Sequence, residues 1–149
     1  FLVDKELEYD KPTMEVKCPP KCTACIDACP TAAILEPLKM NPFRCIAFNT
    51  FTTQDGRTGI SSNIPPEIRE KMGGWIHGCD ICQDVCPWNR FSTPTKEPGF
   101  TPLPQIMELS TKEWQEMSEE QFKKWFRNSP LKRTKWSGIQ RNLKFLRED

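Results

Sequence analysis

The stretch Cys79-Asp-Ile-Cys82-Gln-Asp-Val-Cys86-Pro87 decides the fold, because a second stretch, Cys22-Thr-Ala-Cys25-Ile-Asp-Ala-Cys29-Pro30, repeats its grammar. Each reads C-x2-C-x3-C-P. Two residues between thiolates let a tight turn bring both sulfurs to one metal centre. Three more residues carry the next cysteine around a helical turn and away. The following proline has no N–H and a fixed φ, so the chain is redirected there. In two-cluster ferredoxins the cysteine before that proline ligates the other cluster. Cys18 and Cys45 complete a set of eight cysteines, and none follows Cys86.

Eight thiolates are the number that two 4Fe–4S clusters require. Disulfides suit small exported chains, and no basic-then-apolar leader opens this sequence. Zinc would accept two sites of four thiolates, but zinc ribbons need neither the C-P ending nor a third cysteine at that offset. The crossing rule assigns Cys18, Cys22, Cys25 and the distant Cys86 to cluster I. It assigns Cys45, Cys79, Cys82 and the distant Cys29 to cluster II. Neither half closes its site alone, so cluster binding becomes folding free energy. One spacing departs from the rule: Cys18-Pro-Pro-Lys-Cys22 is C-x3-C, and Pro19 and Pro20 are expected to bulge outward and keep the sulfur within reach. The loaded sites are net negative and call for N–H donors around their sulfurs. Gly78, Ala24 and Ala28 are small enough to let backbone amides approach.

The 149 residues carry 21 Lys and Arg against 20 Asp and Glu, a net charge of +1. A uniformly basic nucleic-acid binder is thereby excluded, though a local patch is not. No apolar run approaches the roughly 18 residues of a membrane span. Phe1 rather than Met opens the chain, which reads as a fragment or a processed product.

The expected fold is mostly α with irregular loops: a ferredoxin-like double-cluster region followed by C-terminal helices. Residues 1–17 read as an extended acidic lead-in, 18–91 as the cluster region, 92–109 as a proline-rich wrap and 110–149 as a basic helical region. A short helix is expected within Cys25 to Leu35, ending at Pro37. Periodicity does not decide between helix and strand for 43–53. Gln54 to Asn63 is a loop by composition, and Pro65-Pro66 opens a short helix stopped by Gly73-Gly74. Two capping-box patterns, Ser110 with Glu113 and Ser118 with Gln121, predict helices over 111–117 and 119–127. Pro130 starts a helix to about Leu146, with Leu131, Thr134, Ile139, Asn142, Leu143 and Leu146 on its buried stripe.

Nine basic residues and no acid lie between Lys123 and Arg147. Such a run is a solvated helix face or a phosphate-neutralising surface, and spacing leaves both open. His77, two residues before Cys79, reads as a neighbour of a cluster rather than a ligand, since eight cysteines suffice. Trp75 and Trp88 read as hydrophobic shields. No nucleophile–base set, phosphate-cradling glycine loop or carboxylate pair is apparent.

Four stretches resemble the epoxyqueuosine reductase family: Gly78-Cys-Asp-Ile-Cys-Gln-Asp-Val-Cys-Pro-Trp-Asn89, Cys22 to Ile34, Arg44-Cys45-Ile46 and Leu131 to Leu143. The resemblance implies an iron–sulfur, cobalamin-dependent, bacterial cytoplasmic oxidoreductase of queuosine biosynthesis. Such an enzyme reduces epoxyqueuosine to queuosine at the wobble position of tRNA. It implies a catalytic cobalamin domain before this region, so that this chain relays electrons and lacks the reaction centre. It also implies an external donor such as ferredoxin or flavodoxin, a monomer, no membrane contact, and a tRNA contact through Lys132, Arg133, Lys135 and Arg141. Two other readings stand beside it: a freestanding ferredoxin-like carrier of two 4Fe–4S clusters, and the cluster domain of a corrinoid reductive dehalogenase relative.

Overall fold

In the computed structural model, residues 2–11, 18–51 and 64–146 are described. The expected loop over 54–63 and the basic Arg147 lie outside them. Short, punctuated helices dominate, as the proline and cysteine content dictates. Helix α1 (Ala24–Ala28) stops where Cys29 turns extended (φ −69°, ψ 110°), the conformation a following proline imposes. The helix expected to run on towards Leu35 therefore ends early. Residues Ile34–Glu36 (β1) and Lys39–Met40 (β2) instead form an antiparallel hairpin. Its turn places Leu38 at φ +64°, an uncommon conformation for a residue with a side chain.

The undecided segment 43–53 is helical where described. A 3₁₀ turn, Pro42–Arg44, leads through Cys45 into helix α2 (Ile46–Phe51). Helix α3 (Pro66–Arg69) carries proline in its first turn, and the chain leaves it through Gly73 at φ +54°. Helix α4 (Ile81–Asp84) sits inside the second cysteine motif and packs against α1, which sits inside the first. The two repeats thus face one another.

The proline-rich segment is exposed but not structureless. It holds a 3₁₀ turn at Pro98–Phe100 and a helix, α5 (Pro104–Met107), from which Ile106 packs onto the C-terminal core. Both capping boxes form. Ser110 opens α6 (Thr111–Glu116) by accepting from the Glu113 N–H (3.3 Å), while its own N–H donates to the Glu113 carboxylate (2.8 Å). Ser118 and Gln121 repeat the exchange at α7 (Glu119–Trp125), at 3.1 and 2.9 Å. Replacing a serine cap by alanine generally costs about 1 kcal/mol.

The expected continuous helix from Pro130 is broken in two. A 3₁₀ turn covers Pro130–Arg133, and α8 (Lys135–Leu143) begins on a residue at φ +59°. Thr134, Ile139, Asn142 and Leu143 are buried, whereas Leu131 and Leu146 are only partly so.

Two apolar cores result. Met117, Phe122, Phe126, Ile139 and Leu143 form one. Phe126 is its centre, 4.8 Å from the Phe122 ring and stacked 5.6 Å from Trp114. Ile46, Ile64, Ile68 and Met72 form the other, with Trp75, Cys79 and Phe145 packed against it. Helix α8 and the residues after it reach both cores, Leu143 in the first and Phe145 against the second.

Candidate metal centre

The eight cysteines are all free thiols, Cys18 exposed and the other seven partly buried. The turn before α1 explains the C-x3-C departure. The Cys22 N–H donates to the Pro19 carbonyl (3.0 Å) with Lys21 at φ +64°. Pro20 supplies the fixed φ such a turn needs at its second position. The extra residue is thereby absorbed in a tight turn between Cys18 and Cys22.

Cys29 sits at the end of α1, and the extended chain beyond it folds back over its sulfur. The Ala33 N–H donates to Sγ (3.3 Å), and the Thr31 hydroxyl lies 3.6 Å away. Burial pushes this thiol up. The Thr31 hydroxyl and the Ala33, Thr31 and Ile34 amides outweigh it, so the net shift is downward, towards thiolate. Donors aimed at a sulfur are what an anionic iron–sulfur core requires.

Cys79 shows the opposite balance. Burial raises its pKa, the Ile81 amide pulls it down, and the charges of Cys45, Cys82 and Cys29 raise it further. Four thiols contributed by α1, the Cys45 loop and the second motif therefore share one electrostatic neighbourhood. A bound metal centre relieves this crowding, since coordination deprotonates thiols outright. The four sulfurs and their donors thus suit an iron–sulfur core. Among the described residues, no three His, Cys, Asp or Glu side chains converge on the position of a single ion.

The approach to Cys79 is held on both sides. Gly78 adopts φ +78°, and its N–H donates to the Thr50 hydroxyl (3.0 Å). A Cβ built there meets nothing within 4 Å, so the glycine serves conformation rather than the close approach its size suggested. His77 is in the neighbourhood without being aimed at a metal: its Nδ1 lies 2.8 Å from the Thr134 hydroxyl, and its ring 5.8 Å from Phe51. Burial pulls its pKa down, favouring the neutral ring. Trp75 and Cys79 pack against the same Ile46–Ile64–Ile68–Met72 core, whereas Trp88 is 51% exposed, with its ring 6.5 Å from that of Phe91.

These features match known proteins. Residues 17–89 match the 4Fe-4S double cluster binding domain. Over 147 residues the chain is 46% identical to the epoxyqueuosine reductase of Cellulophaga algicola, covering 99% of this chain and 45% of that protein. The solved epoxyqueuosine reductase of Bacillus subtilis superposes with TM-score 0.77 at 37% identity, over 93% of this chain and 35% of that one. A crystal structure of epoxyqueuosine reductase with an epoxyqueuosine-modified tRNA stem loop gives TM-score 0.76 at 37% identity, over 93% of this chain and 34% of that one.

The chain belongs to the epoxyqueuosine reductase family. It spans a little under half the length of the curated epoxyqueuosine reductases it matches. Those relatives are oxidoreductases, and the part shared with them here includes the iron–sulfur region. Among the described residues, no helix is long and apolar enough to cross a membrane.

The basic run divides in the structure. Lys132, Arg133 and Lys135 are exposed at the break between the 3₁₀ turn and α8. Lys123, Lys132 and Lys135 line a groove of about 390 Å³ together with Phe122, Phe126 and Trp136. Arg141 must be removed from this surface. It is 8% exposed, and its guanidinium donates to the Asn49 carbonyl (3.0 Å), the Thr50 carbonyl (3.2 Å) and the Asn142 side-chain oxygen (2.9 Å). Burial lowers its pKa, yet a guanidinium stays charged under all ordinary conditions. Charge spacing could not separate Arg141 from its exposed neighbours, because a basic residue on a buried stripe looks the same in a run of cations. Sequence reasoning also missed Thr31, Asn49 and Thr50. Thr31 was legible in principle, since a hydroxyl two residues beyond a cysteine is within reach of its sulfur.

Proposed function

We propose that this chain is the electron-relay portion of an epoxyqueuosine reductase, ferredoxin-like in architecture. In this reading Cys18, Cys22, Cys25 and Cys86 hold cluster I, and Cys29, Cys45, Cys79 and Cys82 hold cluster II. The clusters, when bound, supply one-electron steps from an external donor such as ferredoxin or flavodoxin towards cobalamin, for reduction of epoxyqueuosine to queuosine in tRNA in the cytoplasm. The observation that carries the reading is the packing of α1, inside the first cysteine motif, against α4, inside the second, with Cys29, Cys45 and Cys82 close enough to Cys79 to raise its pKa. It joins the last cysteine of the first motif to the second motif, as cluster crossing demands.

The chain's own residues have separable tasks. Ala33 and Thr31 direct hydrogen-bond donors at the Cys29 sulfur, which favours the more negative, reduced state of whatever that sulfur ligates. Trp75 and the Ile46–Ile68–Met72 core limit water on the Cys79 side. Lys132, Arg133 and Lys135 form the tRNA contact, neutralising phosphates independently of sequence.

Anaerobic reconstitution is expected to yield about eight iron and eight sulfide per chain. About two zinc and no sulfide would overturn the reading. In the full-length protein, Lys132→Glu, Arg133→Glu and Lys135→Glu together are expected to weaken tRNA binding and flatten its salt dependence by about two to three units of slope. Unchanged affinity would leave these cations as a solvated face.

A further inference from the structure

We infer that Arg141 and Asn142 are positioning residues for the second cluster: from α8 they fix the two chain segments that deliver Cys45 and Cys79. The inference rests on the ligand assignment proposed above. Its basis is a polar network in which Asn142 and Thr50 are fully buried.

Helix α2 starts immediately after Cys45. The carbonyls in the last turn of a helix have no partner within it and must find one elsewhere. In α2 they find α8. The Asn49 carbonyl accepts from Arg141 Nη2 (3.0 Å), and the Thr50 carbonyl accepts from Arg141 Nη2 (3.2 Å) and Asn142 Nδ2 (2.8 Å). The other end is tied by Asn49, whose side-chain amide donates to the carbonyls of Cys45 (2.8 Å) and Phe43 (2.9 Å).

The same Asn142 amide reaches the second segment. It donates to the Ile76 carbonyl (2.7 Å), three residues before Cys79. Thr50 closes the loop: its hydroxyl accepts from the Gly78 N–H (3.0 Å) and donates to the Ala47 carbonyl (2.8 Å). The Arg141 Nε–H to Asn142 Oδ1 bond (2.9 Å) leaves the amide's N–H groups turned towards the two carbonyls. Two segments that must meet at one metal centre are thus hung on adjacent residues of α8.

Packing alone does not require this arrangement. A buried guanidinium and a buried amide are costly to desolvate, and apolar residues fill such positions at less cost. Leu143, the next residue, does so in the same helix. What the polar pair adds is direction, because hydrogen bonds fix carbonyl positions that apolar contact leaves free to slide. Residues that orient metal ligands typically change metal affinity roughly 10–100-fold when replaced.

The test uses the holo full-length protein, prepared anaerobically and challenged with a mild iron chelator. Thiols freed over time are alkylated and mapped by mass spectrometry. Asn142→Asp keeps the shape but sets an acceptor against two carbonyls. It is expected to free Cys29, Cys45, Cys79 and Cys82 roughly 10–100-fold faster than wild type, while Cys18, Cys22, Cys25 and Cys86 stay at the wild-type rate. About half the iron is lost in that phase. Arg141→Lys, which keeps the charge on a single donor nitrogen, is expected to give the same split more weakly, and it serves if Asn142→Asp does not accumulate. Leu143→Ala supplies the comparison for general loosening of α8. The inference is overturned if both quartets open together, or if Leu143→Ala gives the same selective opening. A wild-type protein whose protected thiols do not divide into these quartets would instead overturn the ligand assignment, and the inference with it.

Discussion

Between Cys18 and Cys86 the longest helix among the described residues is α2, of six residues. Among the described residues, the buried apolar side chains there are Ala33, Ile46, Ile64, Ile68 and Met72. Between Ser110 and Leu146, helices of six, seven and nine residues share a core built on Phe122 and Phe126, with Trp114, Trp125 and Trp136 around it. The second region has the features that let a chain fold on its own contacts: capped helices, stacked aromatics and a common apolar face. The first has turns and short helices, in which burial and then the charges of Cys45, Cys82 and Cys29 raise the pKa of the Cys79 thiol. The C-terminal helices have the contacts of a scaffold on which the cysteine-rich region packs, and the hydrogen bonds of Arg141 and Asn142 to Asn49, Thr50 and Ile76 are among those that join the two.

Removing the metal is expected to separate the behaviour of the two regions most visibly. Structural metal sites contribute on the order of 10 kcal/mol to the folding of small domains, far more than the short helices around them supply. Chelation of the reconstituted chain is expected to abolish amide-exchange protection over residues 24–51 and 79–91 and to preserve it over 111–126 and 135–143. Loss of protection in both regions together would show that the C-terminal helices are not an independent scaffold.

The two regions also differed in how much their sequence revealed. Metal ligation imposes spacing on neighbouring residues, so the C-x2-C-x3-C-P repeats were legible without any structure. Capping is equally local, and Ser110 with Glu113 and Ser118 with Gln121 stood where the pattern put them. The failures came where a conformation depends on partners far along the chain. Leu38 and Lys135 take positive φ without the glycine or asparagine that normally signals it, so the hairpin and the break before α8 were both missed. Segment 43–53 carries no period; contacts of Ile46 and Asn49 with residues elsewhere hold Ile46–Phe51 as a helix. Arg141 bonds to a carbonyl 92 positions away, which no local pattern encodes. Asn142 was a visible hint: an amide on a mostly apolar stripe must have a buried partner.

A core substitution acts on the C-terminal region alone. Phe126 is 1% exposed and lies between Phe122 and Trp114. Phe126→Ala is expected to cost about 3–5 kcal/mol, read as a lowered denaturant midpoint of the C-terminal helices followed by their far-ultraviolet dichroism. Iron and sulfide bound per chain under native conditions are expected to stay at wild-type levels as long as α8 remains docked. A midpoint unchanged within error would mean that the aromatic stack is not what holds this region.

The smallest expected effect concerns the first capping box. Hydrogen bonds from the Ser110 side chain and then from its backbone N–H hold the Glu113 carboxyl below its ordinary pKa. A carboxyl whose folded pKa lies below its unfolded one binds fewer protons in the folded state, so stability rises with pH across the interval between them. The contribution is complete above the unfolded value and is lost as the pH falls through the folded one. Ser110→Ala removes the side-chain donor and leaves the backbone donor. The Glu113 midpoint, followed by carboxyl-carbon NMR, is therefore expected to move up towards its ordinary value without fully reaching it. The slope of stability against pH in the acid range should become correspondingly shallower. Because the carboxyl is fully exposed, salt is expected to reduce the difference between variant and wild type. A Glu113 midpoint that does not move would show that this capping box is not closed in solution, and that the first of the three C-terminal helices owes its position to Trp114 alone.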